Sequence, residues 1–286
     1  MTYANPDALV STDWLASHLT APDVRVVDAT WFMPSLGRNA REEYDAEHIP
    51  GAVFFDIDEI ADSNSPLPHM LPPPEKFSSK VRKLGLGNGN KVVVYDATGF
   101  TSAAARVWWM FRTFGHKDIS VLDGGLPKWR AEGRPVEDLP PVPRDRHFNA
   151  RYNHLLVRNL ENIRANITAG RDQVIDARAA ARFKGEAPEP RPTKFQGHIP
   201  GSVNVPFADL IDEESRCMLP PARLRARFDA VGIDPKRPIA TTCGSGVTAC
   251  TVALALHLLG AQNVAVYDGS WAEWGNADDT PIGKGG

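Results

Sequence analysis

Cys243 is the residue of this chain with the clearest chemistry. It follows the run Pro238-Ile239-Ala240-Thr241-Thr242 and opens Cys243-Gly244-Ser245-Gly246-Val247-Thr248, after which Ala249-Cys250 leads into a long apolar segment. A cysteine at a strand end, followed by a glycine-rich turn into a helix, sits where successive backbone N–H groups can converge on one anion. Gly244 and Gly246 permit backbone dihedrals that a side chain would forbid. The helix start adds partial positive charge, so the turn favours the thiolate, and the same cradle suits a persulfide, Cys–S–S⁻. The N–H groups of Gly244, Ser245, Gly246, Val247 and Thr248 are the expected anion donors. Three uses compete for such a loop: a tight structural turn, the oxyanion chemistry of a phosphatase or arsenate reductase, and sulfur transfer. The second needs an arginine after five intervening residues, where this chain has Ala249. Two glycines ahead of a helix are wasteful in a merely structural turn, and sulfur transfer fits best.

The elements that must position this cysteine occur twice. Asp28-Ala29-Thr30 after Val24-Arg25-Val26-Val27 is matched by Asp176-Ala177-Arg178 after Val174-Ile175. His48-Ile49-Pro50-Gly51-Ala52-Val53 is matched by His198-Ile199-Pro200-Gly201-Ser202-Val203, Asp123-Gly124-Gly125 by Asp268-Gly269-Ser270, and Trp129 by Trp274. Four matches in the same order make the chain a duplicated unit of ordinary domain size. The proline-rich stretch from Pro135 to Pro143 resists helix and sheet interiors and reads as an extended connector. The expected domains are residues 1–140 and 155–286, joined by a linker at about 137–155.

Within each copy, short apolar runs alternate with segments of helical spacing. Val24–Thr30, Ala52–Phe55, Lys91–Ala97 and Ile119–Asp123 read as strands, with helices at Glu75–Leu84 and Ser102–Phe114. In the second copy the strands are Gln173–Arg178, Val203–Pro206, Pro238–Thr242 and Asn263–Tyr267, and the helices Leu160–Ala169, Ala222–Val231 and Val247–Leu259. The expected class is α/β: two tandem domains, each a mainly parallel sheet flanked by helices on both faces. Such sheets bind ligands beyond the carboxyl ends of their strands, which is where Cys243 falls. The residue that matches Cys243 in the first copy is Asp96, and a carboxylate cannot take up sulfane sulfur as a thiolate does. The first copy is therefore expected to be catalytically inactive.

Bulk properties restrict partners. The 286 residues are 42% hydrophobic and 23% charged, with 32 basic and 35 acidic side chains giving a formal charge of −3. That balance offers no general field for nucleic acid or an anionic membrane, and no apolar stretch approaches a membrane span. Three cysteines, Cys217, Cys243 and Cys250, do not make a disulfide framework and suit a reducing compartment. With no export signal at the N-terminus, the cytoplasm is the expected location. Cys250 and His257 lie on an apolar helix and make a poor metal site with Cys243. His48 and His198 occur in both copies, including the one without a nucleophile, and are expected to serve turns.

The two halves resemble tandem rhodanese domains over nearly the whole chain, from about Trp14 to Trp274, and Cys-Gly-Ser-Gly-Val-Thr resembles the active loop of the 3-mercaptopyruvate sulfurtransferases in that family. The resemblance implies a persulfide on Cys243 and the release of pyruvate. A small thiol, cyanide or reduced thioredoxin would accept the sulfur, and no metal or organic cofactor would be needed. Thiosulfate-preferring members typically carry Arg and Lys directly after the cysteine, where this chain has Gly244 and Ser245, so mercaptopyruvate is the expected donor and thiosulfate the alternative. Arg182 and Arg191 match the arginines that hold the donor's carboxylate and ketone, and an arginine fork suits a carboxylate. Asp58 and His69 resemble the pair that the family brings towards the loop serine, here Ser245, as a Ser–His–Asp chain. A non-enzymatic persulfide carrier is the alternative of another class. One chain holds both halves of the cleft, which points to a monomer.

Overall fold

Valine-rich runs set the centre of each half. The computed structural model describes residues 2–285. In the first half the strands are β1 (Leu9–Val10), β2 (Val24–Asp28), β3 (Val53–Phe54), β4 (Lys91–Tyr95) and β5 (Ile119–Leu122). The helices are α1 (Thr12–His18), α2 (Ala40–Ala46), α3 (Ile57–Ile60), α4 (Pro74–Lys83), α5 (Ser102–Thr113) and α6 (Gly125–Ala131). The second half repeats this with β6 (Val157–Arg158), β7 (Gln173–Asp176), β8 (Val203–Asn204), β9 (Ile239–Thr242) and β10 (Val264–Tyr267). Its helices are α7 (Leu160–Ala169), α8 (Ala180–Lys184), α9 (Pro221–Asp229), α10 (Ala249–Leu258) and α11 (Ser270–Trp274).

The sheet orders are β1-β5-β4-β2-β3 and β6-β10-β9-β7-β8, the same order in both halves, and every pairing between these strands is parallel. Val92, Val93, Val94 and Tyr95 of β4 are all fully buried, as a strand covered on both faces requires. Four strands per half follow the sequence pattern, shortened at their ends. The fifth, β1 or β6, is two residues long at a sheet edge and carries no periodicity to read.

The connector is extended but not free. Residues 139–153 contain no helix or strand, yet Phe148 is buried against Phe77 and Phe111 of the first half. Its backbone is tied there as well, with Asn88 N–H donating to His147 O at 3.0 Å and Arg151 N–H to Phe114 O at 2.9 Å. Each His-Ile-Pro-Gly turn closes its own half. His48 exchanges backbone hydrogen bonds with Glu137, and His198 with Gly283. The two imidazole Nδ1 atoms lie 2.7 Å from Tyr44 O and 2.9 Å from Phe183 O.

α5 and α10 join the halves. Both are apolar nearly all round, and all of α10 is buried except for the partly exposed His257. A helix of this kind must be covered on every side, and these two cover one another. The main core is continuous across the two halves and takes in Phe111 and Trp109 of α5 with Val252 and Leu254 of α10, while the Trp108 and His257 rings meet between the helices, 5.4 Å apart. Each such side chain contributes on the order of 1.5–3 kcal/mol. Two reciprocal hydrogen bonds pin the loops on either side: Leu71 N–H to Asp268 Oδ2 and Met218 N–H to Asp123 Oδ1, both at 2.8 Å.

Candidate active site

Cys243 stands directly after β9 and is only 2% exposed. It is not sealed in the interior: it lines, with Gly244, Ser245, Val247 and Thr248, a cavity of about 450 Å³ between the halves. Trp31, Met33, Leu67 and Phe100 form the wall from the first half, and Arg182, Glu189 and Arg191 the wall from the second.

The loop spends its carbonyls and keeps its amides. Cys243 O accepts from Trp271 N–H at 3.0 Å, Gly244 O from Ala272 N–H at 2.8 Å and Gly246 O from Arg106 Nη1 at 3.2 Å. Cys243 N–H donates to Ser270 Oγ at 3.1 Å. None of the N–H groups of Gly244, Ser245, Gly246, Val247 and Thr248 donates to an acceptor among the described residues. Buried backbone donors are almost always satisfied, and Ser245, Gly246 and Val247 are buried, so this turn is suited to an anion. Gly246 makes the turn at φ +76°, and a Cβ there would lie 2.6 Å from Asp268 O. α10 starts at Ala249, two residues later than its apolar pattern suggests, which leaves Val247 and Thr248 in the cradle.

The first half contains the same cradle with an anion already in it. Asp96 follows β4 as Cys243 follows β9, and Gly99 at φ +69° stands for Gly246. Asp96 Oδ1 accepts from Thr98 N–H at 3.0 Å and Gly99 N–H at 3.2 Å, and Oδ2 from Ala104 N–H at 3.1 Å. A carboxylate fills the turn from within.

Arg182 and Arg191, both expected at the site, reach it in different states. Arg182 forks onto Glu189, with Nε 3.2 Å from Oε1 and Nη2 bonded to Oε2. Its guanidinium also presses on the loop, since a Cβ on Gly244 would lie 2.8 Å from Nη2. Glu189 accepts in addition from Arg178 Nη1 at 2.7 Å, and Arg178 grips Asp176 with Nη2 2.6 Å from Oδ2. Arg191 is committed to neutral partners only. Its Nη1 donates to Ser245 Oγ at 3.3 Å and its Nη2 to His69 Nε2 at 2.9 Å, over the face of Trp31. Burial lowers the pKa of this guanidinium, against the pull of Asp58 and Cys243.

His69 is 3% exposed and takes a left-handed backbone, φ +61°. Its Nδ1 lies 2.6 Å from Asp58 Oδ1. A guanidinium can only donate, so Nε2 accepts from Arg191 and the ring proton sits on Nδ1, facing Asp58. Burial lowers the His69 pKa, and Asp58 opposes that shift. Burial also pushes Asp58 up, but the contacts of His69, Trp31 and Arg191 outweigh it and leave the carboxyl below its usual range. The expected Ser–His–Asp chain is therefore interrupted: Ser245 and His69 both bond Arg191, and no hydrogen bond joins them directly.

Sequence reasoning missed Glu189, Arg178, Arg106 and Asp268. Arg106 had a signal, a lone charge inside Ala103-Ala104-Ala105-Arg106-Val107-Trp108, and Glu189 had one in its place between two site arginines. Asp268 was visible only as a repeated Asp-Gly.

A family model described as the rhodanese-like domain matches residues 11–132 and again 159–277. The Arabidopsis thaliana protein named thiosulfate/3-mercaptopyruvate sulfurtransferase 1, mitochondrial, is 44% identical over 301 residues, covering 96% of this chain and 78% of that protein. The thiosulfate sulfurtransferase of Bos taurus is 46% identical over 273 residues, covering 93% of this chain and 91% of the relative. Among solved structures, SseA from Escherichia coli, described with the 3-mercaptopyruvate sulfurtransferase fold and mechanism, superposes with a TM-score of 0.84 at 42% identity, covering 93% of this chain and 99% of that one.

Proposed function

The chain belongs to the rhodanese family as a tandem pair of its domains, a sulfur-transferring enzyme, and from this we propose that it carries sulfane sulfur from 3-mercaptopyruvate to a thiol or cyanide acceptor through a persulfide on Cys243. The observation that carries the choice of donor is the packing of Arg182 on Gly244. The space directly after the cysteine is taken by a guanidinium whose charge Glu189 already offsets. A dianion such as thiosulfate is poorly served there. A donor with one carboxylate and a ketone suits Arg191, which has no carboxylate bonded to it, together with Arg182.

In the first step the Cys243 thiolate attacks the thiol sulfur of mercaptopyruvate. An S–S bond forms, the C–S bond of the donor breaks, and its electron pair passes to the carbon and then the ketone oxygen as the pyruvate enolate. The donor's thiol proton ends on the enolate carbon, so thiolate and mercaptopyruvate become persulfide anion and pyruvate, with atoms and charge balanced. The unspent amides of Gly244 through Thr248 hold the persulfide, as the equivalent turn holds Asp96. Arg191 gates the proton path. A donor carboxylate that takes up its Nη2 releases His69 Nε2 towards Ser245, with Asp58 keeping the ring oriented. In the second step a thiol, cyanide or reduced thioredoxin attacks the outer sulfur and restores the thiolate.

We place the enzyme in the cytoplasm as a monomer, since both walls of the cleft come from one chain and its free cysteines suit a reducing medium. No helix among the described residues is long and apolar enough to cross a membrane. The test is steady-state pyruvate release from mercaptopyruvate, with mass analysis of the Cys243 peptide. Wild type should release pyruvate and gain one sulfur on that peptide, and Cys243→Ser should do neither. Sulfur on Cys217 or Cys250, or sulfur uptake without pyruvate, would overturn the proposal, the latter in favour of a carrier.

A further inference from the structure

Arg106 belongs to α5, in the half without a nucleophile, and its side chain is wholly buried. It ends among three segments of the reaction centre. Nη1 donates to Gly246 O at 3.2 Å and lies 2.7 Å from Asp268 Oδ1, while Nη2 donates to His69 O. Gly246 and His69 both take a left-handed backbone, at φ +76° and +61°. Asp268 in turn accepts Leu71 N–H, two residues beyond His69. One guanidinium thus fixes the backbone of the sulfur-transfer loop to the backbone of the segment that carries His69. It stacks on Trp109, its centre 4.5 Å from the ring centroid, which sets the plane of the fork.

The duplication supplies an internal control. When Gly99 is laid on Gly246, the position of Arg106 falls on Ala253, a buried alanine. Arg216 takes the place of His69, with the same left-handed backbone at φ +59°, and Met218 N–H reaches Asp123 as Leu71 N–H reaches Asp268. The first half therefore keeps the fold, the cradle and the loop clamp with no buried arginine bonded to its turn: Arg216, which reaches it from the other half, is half-buried and packs on Gly99 and Phe100. Its cradle holds a carboxylate and needs no reacting geometry. The fold does not require a buried cation at this place; of the two cradles, only that of Cys243 has one bonded to its turn.

We propose that Arg106 is a positioning residue for sulfur transfer, holding the Gly246 and His69 carbonyls at one fixed separation so that the Cys243 cradle and the His69–Arg191–Ser245 chain face the same substrate. Drawing on the Gly246 carbonyl also polarises the peptide it shares with Val247 N–H, one of the cradle amides. This rests on the proposed sulfur transfer, and the readouts are chosen to separate the two.

Arg106→Lys keeps a charge for Asp268 but cannot bond both carbonyls in the same plane. Arg106→Gln combined with Asp268→Asn removes both charges together, so no buried ion is stranded, and leaves one amide to serve two carbonyls. In variants that melt cooperatively, kcat for pyruvate release should fall by about 10- to 100-fold with KM within about twofold. Alkylation of Cys243 by iodoacetamide at neutral pH should slow by about tenfold, a readout that needs no donor. A lower melting temperature with kcat and alkylation unchanged would reduce Arg106 to a packing role and overturn the proposal. Should wild type release no pyruvate, the donor assignment fails, and alkylation alone then decides for or against Arg106.

Discussion

The guanidinium of Arg182 lies so close to Gly244 that a single added carbon would stand 2.8 Å from its Nη2. Gly244 and this arginine, both of the second half, therefore cannot vary independently. Gly244→Ala must push Arg182 off Gly244 and strain its fork on Glu189. We expect kcat/KM for mercaptopyruvate to fall by about tenfold or more, with a smaller loss for thiosulfate, which relies less on that arginine. Equal losses for both donors would mean that Arg182 does not discriminate between them.

The occupied cradle of the first half makes a separate prediction. Asp96→Ala strands three backbone donors, those of Thr98, Gly99 and Ala104. Leaving buried donors unpaired costs about 1–3 kcal/mol each before water enters. Thermal unfolding should begin several degrees lower, while kcat measured well below the transition stays near wild type. A selective loss of kcat in folded protein would show that the first cradle takes part in turnover.

His257 gives the pH dependence a definite sign. Burial lowers its pKa to about 4 in the folded chain, with Arg112 adding to the effect. Below an unfolded value near 6.5 the unfolded chain binds the extra proton, so stability is full above that pH and declines as pH falls towards 4. Asp28 works the other way: burial raises it to about 6, and the cost of keeping it ionised is felt above that pH and relieved on acidification. The two offset each other in wild type between about pH 4 and 6. His257→Gln should remove one side of the balance, so its melting temperature relative to wild type rises as pH drops from 8 to 5. A difference independent of pH would show that His257 does not titrate as its burial demands.

Much of this was legible in the residues because repetition and periodicity are properties of the chain itself. The four in-register matches located two α/β units, and Cys243-Gly244-Ser245-Gly246 located the cradle. What stayed hidden depends on meetings between distant segments. β1 and β6 are too short to show a pattern, and their places follow from pairing with β5 and β10. A direct Ser245–His69 link was expected, and nothing local announces that Arg191 comes between them. The connector's prolines gave its extended form, whereas its docking depends on where Phe77 and Phe111 leave room for Phe148.

α10 is apolar on every side because α5 of the other half lies against it. The molecule therefore cannot be trimmed to its reactive portion. A fragment starting near residue 155 would bare to water the side of α10 on which Thr251 and His257 meet Thr101 and Trp108, and forfeit Trp31, Asp58 and His69 together. The copy that carries Asp96 walls the cavity, braces α10 and supplies those side chains.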